Sequence, residues 1–577
     1  MILPPWAERW WSAIRTRQDV VLSIALGIVT SLVIVAFIWT TERVGASLYT
    51  GRSSPWARVI IPVLGALTAG YLVARFFPEA RGSGIPQTKA ALATERDIPL
   101  KTVIGKFTVC SISLGSGISL GREGPSVQIG AGIASVFGRS LKLSREETKS
   151  LAPVGTAAAL AAAFNTPIAA VLFSLEEVLG DLHARMLGTV VIGAATSWLV
   201  LHLLLGDEPL FRVPQYQLVH PAEFILYCVL GVAGGLLSAF FQWSLLRMRE
   251  QFKKLPKNTV MYQPAAGGLT VGLLALLVPE VLGVGYSAVD QALNSDLLWK
   301  PMMMLLLLKL LATVMSYSSG NPGGVFGPSL FFGAMLGGSI GSVAHAFFPA
   351  YTGSAGAYAL VGMGTTFAGI IRTPMTSVIM IFELTRDYSV IVPLMICNLA
   401  SYWVATRLMP EPIYEALAAQ DGIHLPRSPE RREEPLLIVR DAMRPARPMT
   451  DPELRIRHAA GLEGQDLFVG RGTVLWGVIR KGDLAKAVAG PESGLPLSSL
   501  VLSPAEDASP LAEAFPHVHP DHPLHLVLHR LGKSGLDVLP VVDRALPRRL
   551  LGEVTLNGLL DAYRRSGGAQ NSDRIPR

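Results

Sequence analysis

Long apolar runs separated by short polar breaks fill the first 420 residues of the chain. The stretch Val20–Trp39 holds twenty residues without a charge, which is enough to cross a hydrocarbon core about 30 Å thick. It is longer than a signal-peptide core and no small-residue cleavage site follows it, so we predict a retained first helix. Further spans are predicted at about 186–205, 223–246, 357–371 and 388–405.

The pattern changes after Gln420. Residues 421–435 are polar and contain proline, as expected of a linker. Beyond them, short β-branched runs alternate with helical stretches, which is the pattern of a soluble α/β unit. We therefore predict an N-terminal tail over 1–19, a membrane domain over 20–420, a linker over 421–435, an α/β domain over 436–565 and a flexible tail over 566–577.

Composition supports an integral, multi-pass membrane protein. Half of the 577 residues are hydrophobic and only 16% are charged, and the mean hydropathy is +0.41. Basic residues precede the first predicted helix, and a second basic loop covers 247–258. The positive-inside rule places both segments in the cytoplasm, and we expect both termini to lie there as well. Basic loops beside lipid headgroups account for the net charge of +7, so no nucleic-acid partner is predicted.

The two halves of the membrane part resemble each other. Three blocks recur in the same order, offset by 201, 203 and 207 residues: GSGIPQTKAAL from Gly82 with GVGYSAVDQAL from Gly283, GPSVQIGAGIASVFG from Gly124 with GPSLFFGAMLGGSIG from Gly327, and APVGTAAAL from Ala152 with ALVGMGTTF from Ala359. Collinear blocks with slowly drifting offsets indicate an internal duplication. We predict repeats over roughly 60–205 and 264–408.

The matched blocks are rich in glycine and proline, which favours helices broken inside the membrane. Each broken helix points unpaired backbone N–H groups, with about half a positive charge, into the protein, and such ends attract anions. A cation cage built from oxygen ligands would need several carboxylates at these breaks, whereas the Gly- and Pro-rich segments GSGIP, GREGP and GVFGP hold only Glu123. The expected ligand is an anion.

An enzyme is not predicted. It would need a nucleophile, a base or a metal cluster in the apolar part. His183, His202 and His345 are scattered without such spacing, and the three cysteines have no metal-ligand spacing. We accordingly expect no metal and no required cofactor.

Five motifs, in order, carry a family resemblance. They are GSGIP from Gly82, GREGP from Gly121, FNTPIAAVLFSLEE from Phe164, GVFGP from Gly324 and PIYEAL from Pro412. With these motifs the chain resembles the CLC family of chloride channels and proton-coupled chloride transporters. The resemblance implies a mainly α-helical membrane protein of two inverted repeats with broken helices, which forms a homodimer through its membrane domain and a cytoplasmic α/β domain.

The resemblance also implies a role for two acids. Glu123 would be the gate and proton carrier, a carboxylate that competes with chloride for a site at a helix N-terminus. Glu177 would be the internal proton acceptor. Plainer alternatives are that Glu123 only pairs with Arg122, and that Glu176 and Glu177 form a solvated helix end. Adjacent residues such as Arg122 and Glu123 do not readily pair on one helix.

The same resemblance nominates chloride ligands. They are the hydroxyl groups of Ser83 and Tyr414 and the backbone N–H groups of Val325 and Phe326. Neutral donors bind an anion without trapping it, as rapid transport requires. Ser83 is also suited to be a helix N-cap, and Tyr414 to be an interfacial anchor.

The C-terminal part carries two short similar segments, WGVIRKGDL from Trp476 and LGEVTLNGL from Leu551. They resemble a pair of CBS motifs, the first and degenerate one over 436–495 and the second over 496–565. Each keeps half of the nucleotide-binding pattern, Asp483 in the first and Thr555 in the second. We predict a dimerisation module, with adenine-nucleotide binding as the alternative.

Taken together, the chain is predicted to be an H+/Cl− antiporter of the bacterial inner membrane. A voltage- or pH-gated chloride channel on the same fold is the alternative, and proton movement distinguishes the two. The serine in GSGIP resembles that of chloride-preferring members of the family.

Overall fold

The computed structural model describes residues 5–49, 54–94, 96–180, 186–206, 219–386, 388–423, 437–462, 464–501, 515–544 and 548–572, with single positions 210, 211, 213, 425 and 546 between them. The chain divides into two compact units, Met1–Pro429 and Glu430–Arg577. Most of the predicted linker, at 424 and 426–435, lies outside the described residues.

The first unit is helical. Its helices are α1 (Pro5–Leu48), α2 (Ala57–Arg75), α3 (Ile85–Ala93), α4 (Leu100–Gly115), α5 (Glu123–Ser140), α6 (Arg145–Phe164), α7 (Pro167–Phe173), α8 (Leu187–Leu205), α9 (Glu223–Lys254), α10 (Gln263–Leu277), α11 (Tyr286–Leu293), α12 (Trp299–Ser318), α13 (Phe326–Phe347), α14 (Ala355–Ile371), α15 (Pro374–Thr385), α16 (Ile391–Leu408) and α17 (Ile413–Gln420). A single π-helical turn, Ser174–Leu179, follows α7.

Seven helices in the described part of the chain are long and apolar enough to cross a membrane. Four of the predicted spans lie in helices of this kind. The predicted span at 357–371 belongs to Ala355–Ile371, one of three apolar helices that are shorter. Because a helix rises 1.5 Å per residue, its 17 residues cover about 26 Å, somewhat less than the hydrocarbon core.

Equivalent helices of the two repeats have the same kinds of capping residue at both ends. The helix α6 starts at Ser144, whose hydroxyl accepts from the backbone of Glu147, and it ends at Asn165 in the left-handed region. Its counterpart α14 starts at Ser354 and ends at Arg372, also left-handed. In each repeat this helix packs against the preceding Gly-rich helix, α5 or α13.

The two repeats meet at a pair of glycines. The N–H of Gly121 donates to the carbonyl of Gly324, and the N–H of Gly324 donates to the carbonyl of Gly121, both at 2.7 Å. These residues occupy the same position in GREGP and GVFGP. Reciprocal contact between equivalent residues is the mark of a two-fold relation. The repeats are therefore related by a local two-fold axis that passes close to this glycine pair.

The C-terminal unit holds two small antiparallel sheets. One pairs β1 (Leu467–Arg471) with β2 (Val474–Ile479), and the other pairs β3 (Val538–Val542) with β4 (Leu550–Thr555). Helices α18 (Val439–Ala442), α19 (Lys481–Ala489), α20 (Leu524–Ser534) and α21 (Leu556–Ser572) accompany them. The predicted flexible tail over 566–577 starts inside α21, and its last five residues lie outside the described part.

Candidate functional site

Three Gly-rich segments converge next to the glycine pair. A Cβ added at Gly124, in the first turn of α5, would collide with the Ser83 side chain and would come within 3.3 Å of the Cα of Gly324. Ser83 lies directly before Gly84, the N-cap of α3, and Gly324 lies directly before Val325, the N-cap of α13. The starts of three helices therefore lie side by side, and each has free N–H groups and a partial positive charge.

Glu123 is the first residue of α5, and its side chain is completely buried. One carboxylate oxygen, Oε2, accepts a hydrogen bond from the backbone N–H of Gly327, in the first turn of α13, at 3.2 Å. The other, Oε1, accepts from the hydroxyl of Tyr286. The carboxylate thus lies at the N-terminus of a helix that belongs to the opposite repeat, where a free anion would also be stabilised.

The alternative role of Glu123, as an ion-pair partner of Arg122, is not what the structure shows. The guanidinium of Arg122 instead pairs with Glu42 of α1, at 2.8 Å between Nη1 and Oε1. It also lies over the ring of Tyr286, 5.6 Å from the centroid. Arg122 therefore has its own carboxylate, and Glu123 remains bound by neutral donors.

Ser83 and Tyr414 are both completely buried. The packing of α3 against α17 brings them to the same region. Neither hydroxyl oxygen forms a hydrogen bond of good geometry with the described residues, although the two hydroxyl groups lie close enough to interact with each other. Buried hydroxyl groups are normally paired, and leaving one unpaired costs about 1–3 kcal/mol. Two such groups together are what a site for a small polar ligand requires.

Val325 and Phe326 are buried at the start of α13. The ring of Phe326 packs against Phe164, Phe173 and Phe367, with centroid separations of 4.8, 5.5 and 4.5 Å. This aromatic cluster fixes the first turn of α13. Because the first N–H groups of a helix have no partner within it, those of Val325 and Phe326 are suitable anion donors.

Glu177 lies in the π-helical turn that follows α7 and is only 5% exposed. The alternative of a solvated helix end is therefore excluded for this residue. Its Oε1 forms an ion pair with Nζ of Lys89 at 2.7 Å, and Lys89 also lies 3.8 Å from Glu415 of α17. Single π-turns are frequent at functional sites. Glu176 is different, since its carboxylate caps α15.

Sequence reasoning missed two residues that support the site. Tyr286 lies in the block GVGYSAVDQAL, but nothing in that block indicates that its hydroxyl reaches Glu123. Lys309 is completely buried and donates to the carbonyls of Val281 and Gly283, at 2.9 and 2.6 Å. Lys309 is equivalent to Lys106 by the repeat offset of 203 residues. A lysine at equivalent apolar positions of both repeats was the feature of the sequence that could have identified Lys309.

In the C-terminal unit, Asp483 lies in α19 and is 3.7 Å from Arg480 of the same segment. The hydroxyl of Thr555 accepts the N–H of Gly558 and so caps α21. No hydrogen bond or ion pair joins Asp483 and Thr555 in the described part of the chain. Nor do the described residues contain a group of three or more His, Cys, Asp or Glu side chains that would hold a metal ion.

Comparison with known proteins gives consistent results. A family model described as "Voltage gated chloride channel" matches residues 65–406. The H(+)/Cl(-) exchange transporter ClcA of Citrobacter koseri is 33% identical over 428 residues, which cover 70% of this chain and 89% of the relative.

Solved structures are also similar. A slow cyanobacterial Cl−/H+ antiporter superposes with a TM-score of 0.64 at 26% identity and covers 70% of this chain and 97% of that chain. A eukaryotic CLC transporter superposes with a TM-score of 0.62 at 22% identity and covers 94% of this chain and 98% of that chain. The second likeness concerns the fold alone, and it extends into the C-terminal unit.

Proposed function

The chain belongs to the voltage-gated chloride channel family, and we propose that it is a secondary transporter that exchanges chloride for protons. The observation that carries the proposal is the position of Glu123, whose carboxylate accepts the N–H of Gly327 at the start of α13. A carboxylate and a chloride ion compete for the same helix N-terminus, because both are anions stabilised by the same N–H groups.

In this mechanism Glu123 couples the two fluxes. When it is ionised, it occupies the anion site and excludes chloride. When it takes up a proton, it loses the charge that the helix N-terminus favours, and its side chain leaves the site to chloride. The hydroxyls of Ser83 and Tyr414 and the N–H groups of Val325 and Phe326 would then surround the incoming ion. Neutral donors let the ion leave again.

Glu177 is proposed as the acid that receives protons on the cytoplasmic side. Its burial and its ion pair with Lys89 support this role, since a carboxylate placed inside a membrane protein is costly unless it has a partner or a function. A proton that reaches Glu177 would break the pair and pass on towards Glu123. The ClcA relative is an H(+)/Cl(-) exchange transporter and the cyanobacterial protein is a Cl−/H+ antiporter, which supports proton coupling.

The test is proton uptake into liposomes that contain the purified protein and a chloride gradient. We expect the wild type to move protons uphill. Glu123→Gln and Glu177→Gln should each abolish proton movement while chloride still flows. Glu250→Gln is the matched control, because Glu250 is about half exposed at the end of α9 and should leave both fluxes unchanged. Chloride flux without proton movement in the wild type would instead identify a channel.

The remaining proposals concern assembly and location. We place this multi-pass membrane protein in the bacterial inner membrane, with both termini in the cytoplasm, as a homodimer. The C-terminal segments 436–495 and 496–565 are proposed as CBS-like motifs that dimerise. Each contains a two-stranded sheet followed by a helix, β2 with α19 and β4 with α21. Comparing the mass of the detergent-solubilised full chain with that of a chain ending at 429 tests the dimer and the contribution of this module.

Nucleotide binding by the C-terminal unit is not part of the proposal. The Thr555 hydroxyl already caps α21, and Asp483 lies beside Arg480. Calorimetric titration of the full chain with ATP should therefore give no binding heat. The transport cycle needs only chloride and protons.

A further inference from the structure

We propose that Tyr286 is a positioning residue for the gate: its hydroxyl donates a hydrogen bond to Glu123 and holds the carboxylate in the anion site against chloride. The inference rests on the proposed function, because it presumes that Glu123 and chloride compete. It adds a residue from the second repeat that tunes this competition. The strength of one phenolic hydrogen bond would then set how readily chloride displaces the gate.

The two oxygens of Glu123 have separate donors. Gly327 donates its backbone N–H to Oε2 at 3.2 Å, and the Tyr286 hydroxyl donates to Oε1. The backbone N–H of Gly327 can bind any anion in the site, because it is part of the N-terminus of α13. The hydroxyl, in contrast, comes from a separate helix, α11, and its contact in the structure is with the carboxylate. Loss of the hydroxyl therefore weakens the binding of the carboxylate more than that of chloride.

The Tyr286 ring is held from two sides. Phe211 packs edge-on against it, with 5.4 Å between centroids. The guanidinium of Arg122 lies over it at 5.6 Å from the centroid and is itself anchored by Glu42 at 2.8 Å. A cation over an aromatic face is attracted to the ring and fixes it. With the ring immobilised, the direction of the hydroxyl towards Glu123 is maintained.

The backbone that carries Tyr286 is also fixed. Gly285, which precedes it, adopts a φ of +87°, a conformation that glycine adopts without strain. The segment before it is bound by the buried amine of Lys309, which donates to the carbonyls of Val281 and Gly283. The amine lies 5.2 Å from the ring centroid of Phe331 in α13. Lys309 thus links the start of α11 to the helix whose N-terminus forms the site.

The experiment is a double-mutant cycle on chloride affinity, measured by calorimetry on the purified full chain. The variants are Tyr286→Phe, Glu123→Gln and the double variant. We expect Glu123→Gln to bind chloride more tightly, because the competitor has lost its charge. We expect Tyr286→Phe to tighten chloride binding by up to about tenfold, which corresponds to about 1.4 kcal/mol. In the Glu123→Gln background the same substitution should change affinity less than twofold.

The phenylalanine variant retains the ring and its contacts with Phe211 and Arg122, so its melting temperature should match the wild type. Tyr71→Phe is the control, because Tyr71 is 47% exposed on α2 and its ring packs against Phe76 rather than against a residue of the site. If Tyr286→Phe weakens chloride binding in both backgrounds, Tyr286 is a chloride ligand and the inference is wrong. An unchanged affinity in the wild-type background overturns it as well.

Failure of the proposed function gives a different result. In that case Glu123→Gln itself would leave chloride affinity unchanged, whatever the effect of Tyr286→Phe. A tightening by Glu123→Gln without any effect of Tyr286→Phe would retain the gate and remove only the role of Tyr286.

Discussion

Glu176 and Glu383 occupy equivalent positions in the two repeats, and each caps the helix of the other repeat. The carboxylate of Glu176 accepts from the N–H groups of Met375 and Thr376 at the start of α15, at 3.3 and 2.9 Å. The carboxylate of Glu383, near the end of α15, accepts from Ile168 and Ala169 at the start of α7, at 2.9 and 2.7 Å. This second reciprocal contact agrees with the two-fold relation at the glycine pair.

These reciprocal caps should stabilise the membrane unit. Each carboxylate satisfies two backbone donors that have no partner within their helix and also faces the positive end of a helix dipole. We expect Glu383→Ala and Glu176→Ala each to lower the free energy of unfolding in detergent by about 1–2 kcal/mol. Glu280→Ala, at an exposed position, is the control and should stay within about 0.5 kcal/mol of the wild type. Equal stability of all three variants would contradict a capping role.

The equivalent lysines Lys106 and Lys309 should each stabilise the membrane unit, because each donates hydrogen bonds to two backbone carbonyls of its own repeat. Lys106 donates to the carbonyls of Ala80 and Gly82, as Lys309 does to Val281 and Gly283. Replacing either with methionine retains the apolar stem but leaves two buried carbonyls without this donor. We expect a loss of about 2 kcal/mol in unfolding free energy for each variant.

The matched controls for these lysines are Lys101→Met in α4 and Lys300→Met in α12, since both residues are exposed on the same helices as the buried pair. Thermal unfolding followed by circular dichroism makes the comparison. If Lys106→Met and Lys309→Met melt together with their controls, the buried amines do not hold the loops before α3 and α11.

Gly124 is a position where a single methyl group should block transport. A Cβ there would collide with Ser83 and crowd the Cα of Gly324, so that the three converging segments must separate. We expect Gly124→Ala to lower chloride flux at least about tenfold, as misplacement of site atoms commonly does. Gly188→Ala on α8, where a Cβ meets nothing within 4 Å, should leave flux unchanged. Efflux from chloride-loaded liposomes measures both variants, and full activity of Gly124→Ala would contradict the crowding.

The C-terminal unit should lose stability as the pH falls through about 6.5. Burial, together with the positive charges of His519, Arg530 and Arg544, lowers the pKa of His522, while Asp521 opposes this shift. An unfolded histidine takes up its proton near pH 6.5, before the folded one does, so acid favours the unfolded state. Above that pH the histidine is neutral in both the folded and the unfolded state, so the loss of stability is absent.

Hydrogen exchange of residues 515–544 in the full chain, at pH 7.5 and 5.5, tests this dependence. In His522→Asn the side-chain oxygen can accept the hydrogen bond from the backbone N–H of His519 in place of the His522 ring nitrogen. Asparagine does not titrate in this pH range. We expect the variant to retain more protection than the wild type at pH 5.5. The control is His458→Asn, at an exposed position of the same unit. Identical protection of wild type and His522→Asn at both pH values would refute the prediction.

The family, the membrane fold and the internal repeat were all predictable from sequence, and the comparisons confirm the family. The reason is that glycine and proline at helix breaks are fixed by backbone geometry, which leaves recognisable blocks such as GREGP and GVFGP. Glu123 was conspicuous because a carboxylate inside an apolar segment is costly. Its location at the start of α13 follows from a contact between residues 204 positions apart, which no local pattern encodes.

The partners of the site residues were much less predictable. Tyr286 reaches Glu123 across 163 residues, and Arg122 reaches Glu42 across 80. A tyrosine at a helix start and a glutamate near the end of a long helix have many ordinary roles, so residue type alone does not select these pairs. The alternative of a solvated helix end does not hold for Glu177, because the helix continues as a π-turn that buries the second acid of the pair.

The residues that follow the glycine pair explain why the two ends of the transport pathway are not equivalent. Two positions beyond Gly121 and Gly324, the equivalent residues are Glu123 and Phe326, one able to carry a proton and the other not. In a symmetric assembly of two identical halves, both positions would hold the same residue, and the two sides of the membrane would be indistinguishable to the ion. Joining the halves in one chain allows equivalent positions such as these to differ, so that the passage can have an inside that is unlike its outside.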